Sequence, residues 1–368
     1  MKKKLKTWLA ISAVSLGIHY LLMFFAWIVG VSGSISFGQM LLKRLTEPGD
    51  AIRYLDIAQN GYVKTGENSI NLVFYPLYPL LLRAVSLFTG SLPIAGVILS
   101  QGCYCMAAVA LYELILLDGD KRMAWDGVLL MALYPFSVFT MGVFSESLFL
   151  LTTLFCLYAL RKGNYVQAGI VGFFASLSRT QGMLLIFPAV YEVVARGLSR
   201  EKRKLRFSDC FLLLIPAGFG VYLLINYILH GNFFQFLIYE EGAPWYQSTK
   251  WLGDNLSQHM QLANDHPMLS MIIYYVQPAL YFLALIILFL GLWKKERMAH
   301  LLYGGVYLGF TYLSGWMISG GRYMLGCVPI FLVLGKLKMG WGRNLVFLIS
   351  GILCFIYTTL YLIGHAIM

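Results

Sequence analysis

The sequence predicts an all-α polytopic membrane protein, a bundle of about 11 transmembrane helices with amphipathic juxtamembrane helices in its first outer loop. Three observations predict it. Apolar residues make up 59% of the 368, above the roughly 45–50% of an ordinary soluble domain, and only 12% are charged. The mean hydropathy is +0.71. The apolar residues also come in long runs separated by short basic loops. So few charged side chains cannot cover so large an apolar content in water, which excludes a soluble enzyme. Disorder, collagen and a disulfide-stapled secreted module are excluded on the same composition.

The first run, 8–31, follows Lys2, Lys3, Lys4 and Lys6. A signal peptide has an apolar region of only about 7–15 residues, so this is a retained first helix. Further spans are expected over 92–117, 125–142, 146–160, 164–178, 182–197, 208–229, 268–292, 300–318, 323–337 and 345–366. Each is taken as a helix because a helix satisfies its own backbone in lipid. The N-terminus then lies inside and the C-terminus outside.

The basic residues test this count. Of the 28, only Lys43, Arg44, Arg53, Lys64, Arg83, Arg179, Lys250 and Arg322 fall on the outer side. The rest gather at the inner face, as orientation by positive loops requires. The net charge of +11 is therefore a topology signal, and no nucleic acid is expected as a partner. Among the six cysteines, Cys103 and Cys105 make only a lone C-x-C pair, and all six read as apolar fillers. No repeat is evident, and residues 1–368 read as a single domain with two long outer segments, 32–91 and 230–267.

In the first outer segment, Ala51, Tyr54, Leu55 and Ala58 follow an i, i+3, i+4, i+7 spacing. Asp50 stands at the natural N-cap and Gly61 at the natural stop. This is a short amphipathic helix lying on the outer bilayer surface. A second runs from Tyr75 through Phe88, with prolines and Arg83 that argue against a full span. Asp50 has two readings, a helix cap or a carboxylate held ready to take a proton from a hydroxyl. Asp56 is its rival but faces water, and position alone does not decide between the two.

Together these residues resemble a known family. Asp50-Ala51, Tyr54-Leu55, Ile57-Ala58 and Gly61-Tyr62, then Phe74-Tyr75-Pro76-Leu77-Tyr78-Pro79 and Arg83, resemble the PIG-V family. That family contains the second mannosyltransferase of glycosylphosphatidylinositol synthesis and its bacterial relatives. The likeness continues through Pro135-Phe136-Ser137, Ser145-Glu146-Ser147, Ser178-Arg179 with Gly182, and Arg322-Tyr323. One departure is Gly49, where the family usually carries Trp. The resemblance implies a GT-C-like transmembrane domain that uses a polyprenyl-phosphate sugar on the extracytoplasmic face. It implies Asp50 as the catalytic base, a lipid or glycan acceptor, and neither a metal nor another cofactor.

A polyprenyl-phosphate leaving group calls for positive charge. Arg83, Arg179 and Arg322 are outer arginines at the ends of apolar segments, and a guanidinium fork suits phosphate oxygens. Snorkelling to membrane lipids is the alternative for each. The expected substrate-binding set is Arg83, Glu146, Arg179 and Arg322, with Tyr54 and Tyr323 beside them. Glu146 is expected to orient an acceptor or donor, an ordinary solvated turn being the alternative. The aromatics of Tyr239-Glu240-Glu241, Trp245-Tyr246 and Trp251 can stack on sugar rings but read mainly as an interfacial belt. His230, His259 and His266 lack metal-site spacing, and Asn255-Leu256-Ser257 is a glycosylation sequon. The expected location is the plasma membrane, or the endoplasmic-reticulum membrane in a eukaryote. The competing function classes are a flippase or transporter of a lipid-linked sugar and a non-catalytic scaffold. Paired repeats and midplane charges would mark the transporter.

Overall fold

The computed structural model describes residues 2–31, 33, 35–198, 206–247, 249–265, 268–313 and 319–365. Arg200, Lys202, Arg203, Lys204 and His266, and the ends of the expected spans 300–318 and 345–366, lie outside them. The described helices are α1 (Lys2–Gly30), α2 (Phe37–Thr46), α3 (Asp50–Asn60), α4 (Leu77–Thr89), α5 (Leu92–Ile115) and α6 (Lys121–Ala132). Next come α7 (Glu146–Arg161), α8 (Tyr165–Ser178), α9 (Ile186–Leu198), α10 (Phe207–Cys210), α11 (Leu214–His230) and α12 (Gln235–Glu241). The series ends with α13 (Leu252–Asp265), α14 (Met268–Trp293), α15 (Met298–Tyr312), α16 (Gly320–Met324), α17 (Pro329–Gly335) and α18 (Trp341–Ile363).

Among the described residues six stretches are long and apolar enough to cross a membrane: Lys2–Gly30, Leu92–Ile115, Thr180–Leu198, Phe207–His230, Tyr274–Trp293 and Trp341–Ile363. A seventh arises if Glu67–Val73 and Leu77–Thr89, bent by 107°, count as one broken span. The fold is therefore helical and membrane-embedded in character. Several expected spans are shorter or divided. The run 125–142 stops as a helix at Ala132, and Pro135 precedes a 3-10 turn over Ser137–Thr140. A proline disfavours helix in the residue before it, so apolar content alone does not continue α6. The run 323–337 splits into α16 and α17, the latter starting at Pro329, where a missing N–H costs nothing.

The chain forms two compact units. Unit 1 comprises residues 1–59, 78–158 and 331–367, and unit 2 residues 60–77 and 159–330. In unit 1, α1 packs on α5, α6 and α18. Gly30 lets α1 approach so closely that an added Cβ would meet Ile363 Cγ2. Asp126, almost fully buried, is gripped by Arg343 from α18 through Nε at 2.8 Å and Nη2 at 2.6 Å. Arg122 Nη1 adds a third bond to Asp126 at 2.8 Å and also donates to the Leu337 carbonyl. That network locks α6, α18 and the 337 turn together.

In unit 2, α8 and α11 form the central pair. Gly169 faces the Phe211 carbonyl and Gly218 the Phe173 carbonyl with no space for a Cβ. Small residues let helix backbones touch where no hydrophobic effect drives association. Tyr75 and Tyr222 stack at 4.0 Å and, with Phe236, form a buried aromatic cluster.

Candidate functional site

In unit 1, α3 carries Asp50 and Tyr54, and Tyr78 lies close to both Tyr54 and Glu146. Ser36 and Gln39 form a capping box that starts α2. The chain then turns through Gly49, whose φ of +54° is one that a tryptophan adopts only with strain. Asp50 follows as the first residue of α3 and is half-buried. It lies inside the helix rather than at the cap, where the helix dipole still favours a negative charge. Gly61, at φ +74°, ends α3 as expected.

The buried face of α3 is Ala51, Tyr54, Ile57 and Ala58, so Ile57 takes the place expected for Leu55. Asp50 and Tyr54, four residues apart, share one side of the helix. The Tyr54 hydroxyl donates to Ser145 Oγ at 2.8 Å, and its ring meets Tyr78 edge-on at 4.9 Å. Tyr78 in turn shares a 2.7 Å hydrogen bond with Ser100. The neighbour of Ser145 is Glu146, the first residue of α7, which is only 4% exposed. The solvated-turn alternative for Glu146 is thereby ruled out. The loop before it is pinned by Val143, whose N–H donates to the Leu45 carbonyl at 2.8 Å. Arg83 is exposed on α4.

Unit 2 holds the other part of the expected set. Arg179 is the C-cap of α8 in extended conformation, and its guanidinium lies 5.1 Å from the centroid of the Tyr323 ring. Thr180, the next residue, shares a 2.7 Å hydrogen bond with the Tyr75 hydroxyl. The Phe74-Tyr75-Pro76 bend therefore seats on the turn that carries Arg179. Gly182 makes that turn possible, since a Cβ there would collide with the Ala175 backbone. Arg322, 3% exposed, sits in α16, and the Tyr323 carbonyl accepts from the Tyr307 hydroxyl at 2.7 Å. The Gly321 N–H donates to Gln277 Oε1 of α14.

Two residues with functional character went unweighted in the sequence. Gln277 is a fully buried amide in an otherwise apolar run, and that polar interruption was its signal. Glu240 lies beside Tyr75 and Tyr222, and burial pushes its carboxyl up to about 7. Reading its neighbours as a lipid belt hid it. Asn255 of the sequon is buried and donates to the Tyr312 carbonyl at 2.9 Å, so its side chain is committed inside the protein. His259 is held neutral by burial, its pKa lowered to about 4. Among the described residues no group of three or more His, Cys, Asp or Glu could hold a metal ion. No protein-family model and no curated protein matches this chain.

Proposed function

We propose that the protein is a membrane glycosyltransferase of GT-C type. It moves a hexose, mannose being the first candidate, from a polyprenyl phosphate to a lipid or glycan acceptor on the extracytoplasmic face. The full bundle of about 11 spans, with the N-terminus inside, belongs to this reading. The observation that carries it is the order of charge at helix ends. Asp50 and Glu146 begin helices in unit 1, while Arg179 ends one and Arg322 lies in a last turn in unit 2.

In this mechanism the Asp50 carboxylate takes the proton of the acceptor hydroxyl. The hydroxyl oxygen attacks the anomeric carbon as the bond from that carbon to the phosphate oxygen breaks. Polyprenyl phosphate leaves with the electron pair, and the anomeric configuration inverts. Arg179 and Arg322 neutralise the leaving phosphate by charge-assisted hydrogen bonds. Tyr54, through Ser145, fixes the face of α3 on which Asp50 stands.

The test is transfer by the purified protein from labelled polyprenyl-phosphate mannose to a panel of lipid and glycan acceptors. An α or β product opposite in configuration to the donor supports single displacement. Retention of configuration contradicts it. Movement of intact donor across proteoliposomes without any transfer favours the flippase class instead.

A further inference from the structure

Gln277 is fully buried, near the start of the apolar stretch Tyr274–Trp293. Its Oε1 accepts from the Gly321 N–H, and because an amide nitrogen cannot accept, this bond fixes which way the amide faces. The two Nε2 hydrogens are left over, and among the described residues Nε2 has no acceptor. Leaving a buried donor unmade costs about 1–3 kcal/mol. Such a cost persists where an occupant supplies the missing acceptor. The residue beside Gly321 is the buried Arg322, and the next, Tyr323, carries the Arg179 guanidinium over its ring. The short α16 turn thus carries a buried cation one residue on from the N–H that holds an amide whose Nε2 lacks an acceptor among the described residues. The chemistry that answers both is an anionic oxygen.

We propose that Gln277 and Arg322 together form a subsite for a phosphoryl oxygen, with Nε2 donating to the oxygen that the guanidinium attracts. The inference rests on the phosphate reading of unit 2 and adds to it a neutral donor that selects and orients the anion. Its place near the end of an apolar stretch suits a phosphate at the membrane interface. A trapped water would also satisfy the amide. It would not make phosphate affinity depend on residue 277.

The test uses the full chain in phosphatidylcholine nanodiscs, with two probes: inorganic phosphate in solution and polyprenyl phosphate in the disc. Dissociation constants are measured for the native protein, Gln277→Glu and Gln277→Met. Gln277→Glu keeps an acceptor for the Gly321 N–H but replaces the amide donor, whereas Gln277→Met removes both. The expected result is at least about tenfold weaker binding in both variants, the order expected for one hydrogen bond to a charged group. Gln277→Glu buries an acid and should melt below the native protein while still folding, and this variant alone decides if Gln277→Met does not fold. Binding of inorganic phosphate assigns the subsite to a free anion, and binding of the lipid alone assigns it to a lipid-linked phosphate. Equal affinity in all three proteins overturns the subsite, as does no binding of either probe. Normal, residue-277-dependent phosphate binding in a protein that never transfers sugar overturns the glycosyltransferase reading alone.

Discussion

Helices α1, α5 and α18 run unbroken for 29, 24 and 23 residues, whereas the stretches that carry the candidate site are cut into pieces. Asp50 opens the 11-residue α3, Glu146 opens α7 after a 3-10 turn, Arg179 closes α8, and Arg322 sits in a five-residue turn. An unbroken helix pairs its own backbone and offers lipid an apolar surface. A break frees N–H and C=O groups, which polar side chains then satisfy. The signs also agree with the helix dipole, carboxylates at N-terminal ends and Arg179 at a C-terminal one. The long helices run unbroken, and the candidate site residues lie in the interrupted stretches.

Substitution of glycine is the strongest way to break that contrast. Gly182→Val places a branched side chain against the Ala175 backbone and should remove most monodisperse protein on size exclusion. Gly17→Val in α1 meets nothing within 4 Å and should behave as the native protein in the same measurement. Next in size is the Asp126 network. Asp126→Ala leaves two arginines beside a buried gap, and thermal unfolding should report a loss of about 3 kcal/mol. That cost falls on unit 1 stability and not on the site.

Tyr54→Phe sharpens the comparison from the other side. It deletes the hydroxyl that reaches Ser145, worth about 1 kcal/mol, and should lower the transfer rate more than the melting temperature. At Glu240 the effect is read as a pH dependence. Its carboxyl titrates near 7 in the folded protein against an ordinary 4.5, so the folded state holds that proton more tightly. The stabilisation is complete below about 4.5 and is lost as pH rises through about 7. Melting temperatures between pH 5 and 8 should fall more steeply in the native protein than in Glu240→Gln.

The anchoring helices were legible from apolar length, and the ends of α3 from Asp50 and Gly61. The divided runs were not, because hydropathy is blind to where backbone pairing stops. Pro135 and Pro329 mark those stops only once their neighbours are seen. Ser36 and Gln39 spell the capping box of α2, a helix that apolar length alone does not mark. The buried face of α3 takes Ile57 in place of Leu55 because the helix packs against protein on a slightly rotated face. Asp50, Glu146, Arg179 and Arg322 were all named from motif residues, yet nothing in linear order told that Arg83 would point outward or that Gln277 would grip Gly321.

The most direct measurement compares Asp50→Asn and Asp56→Asn in the same transfer assay, each first verified as folded by its melting temperature. A general base contributes about 10²–10⁴-fold. Asp50→Asn should lose at least the lower of these factors, while Asp56→Asn stays near the native rate. Transfer that survives in Asp50→Asn, or vanishes in Asp56→Asn instead, would contradict the assignment of Asp50 as the base.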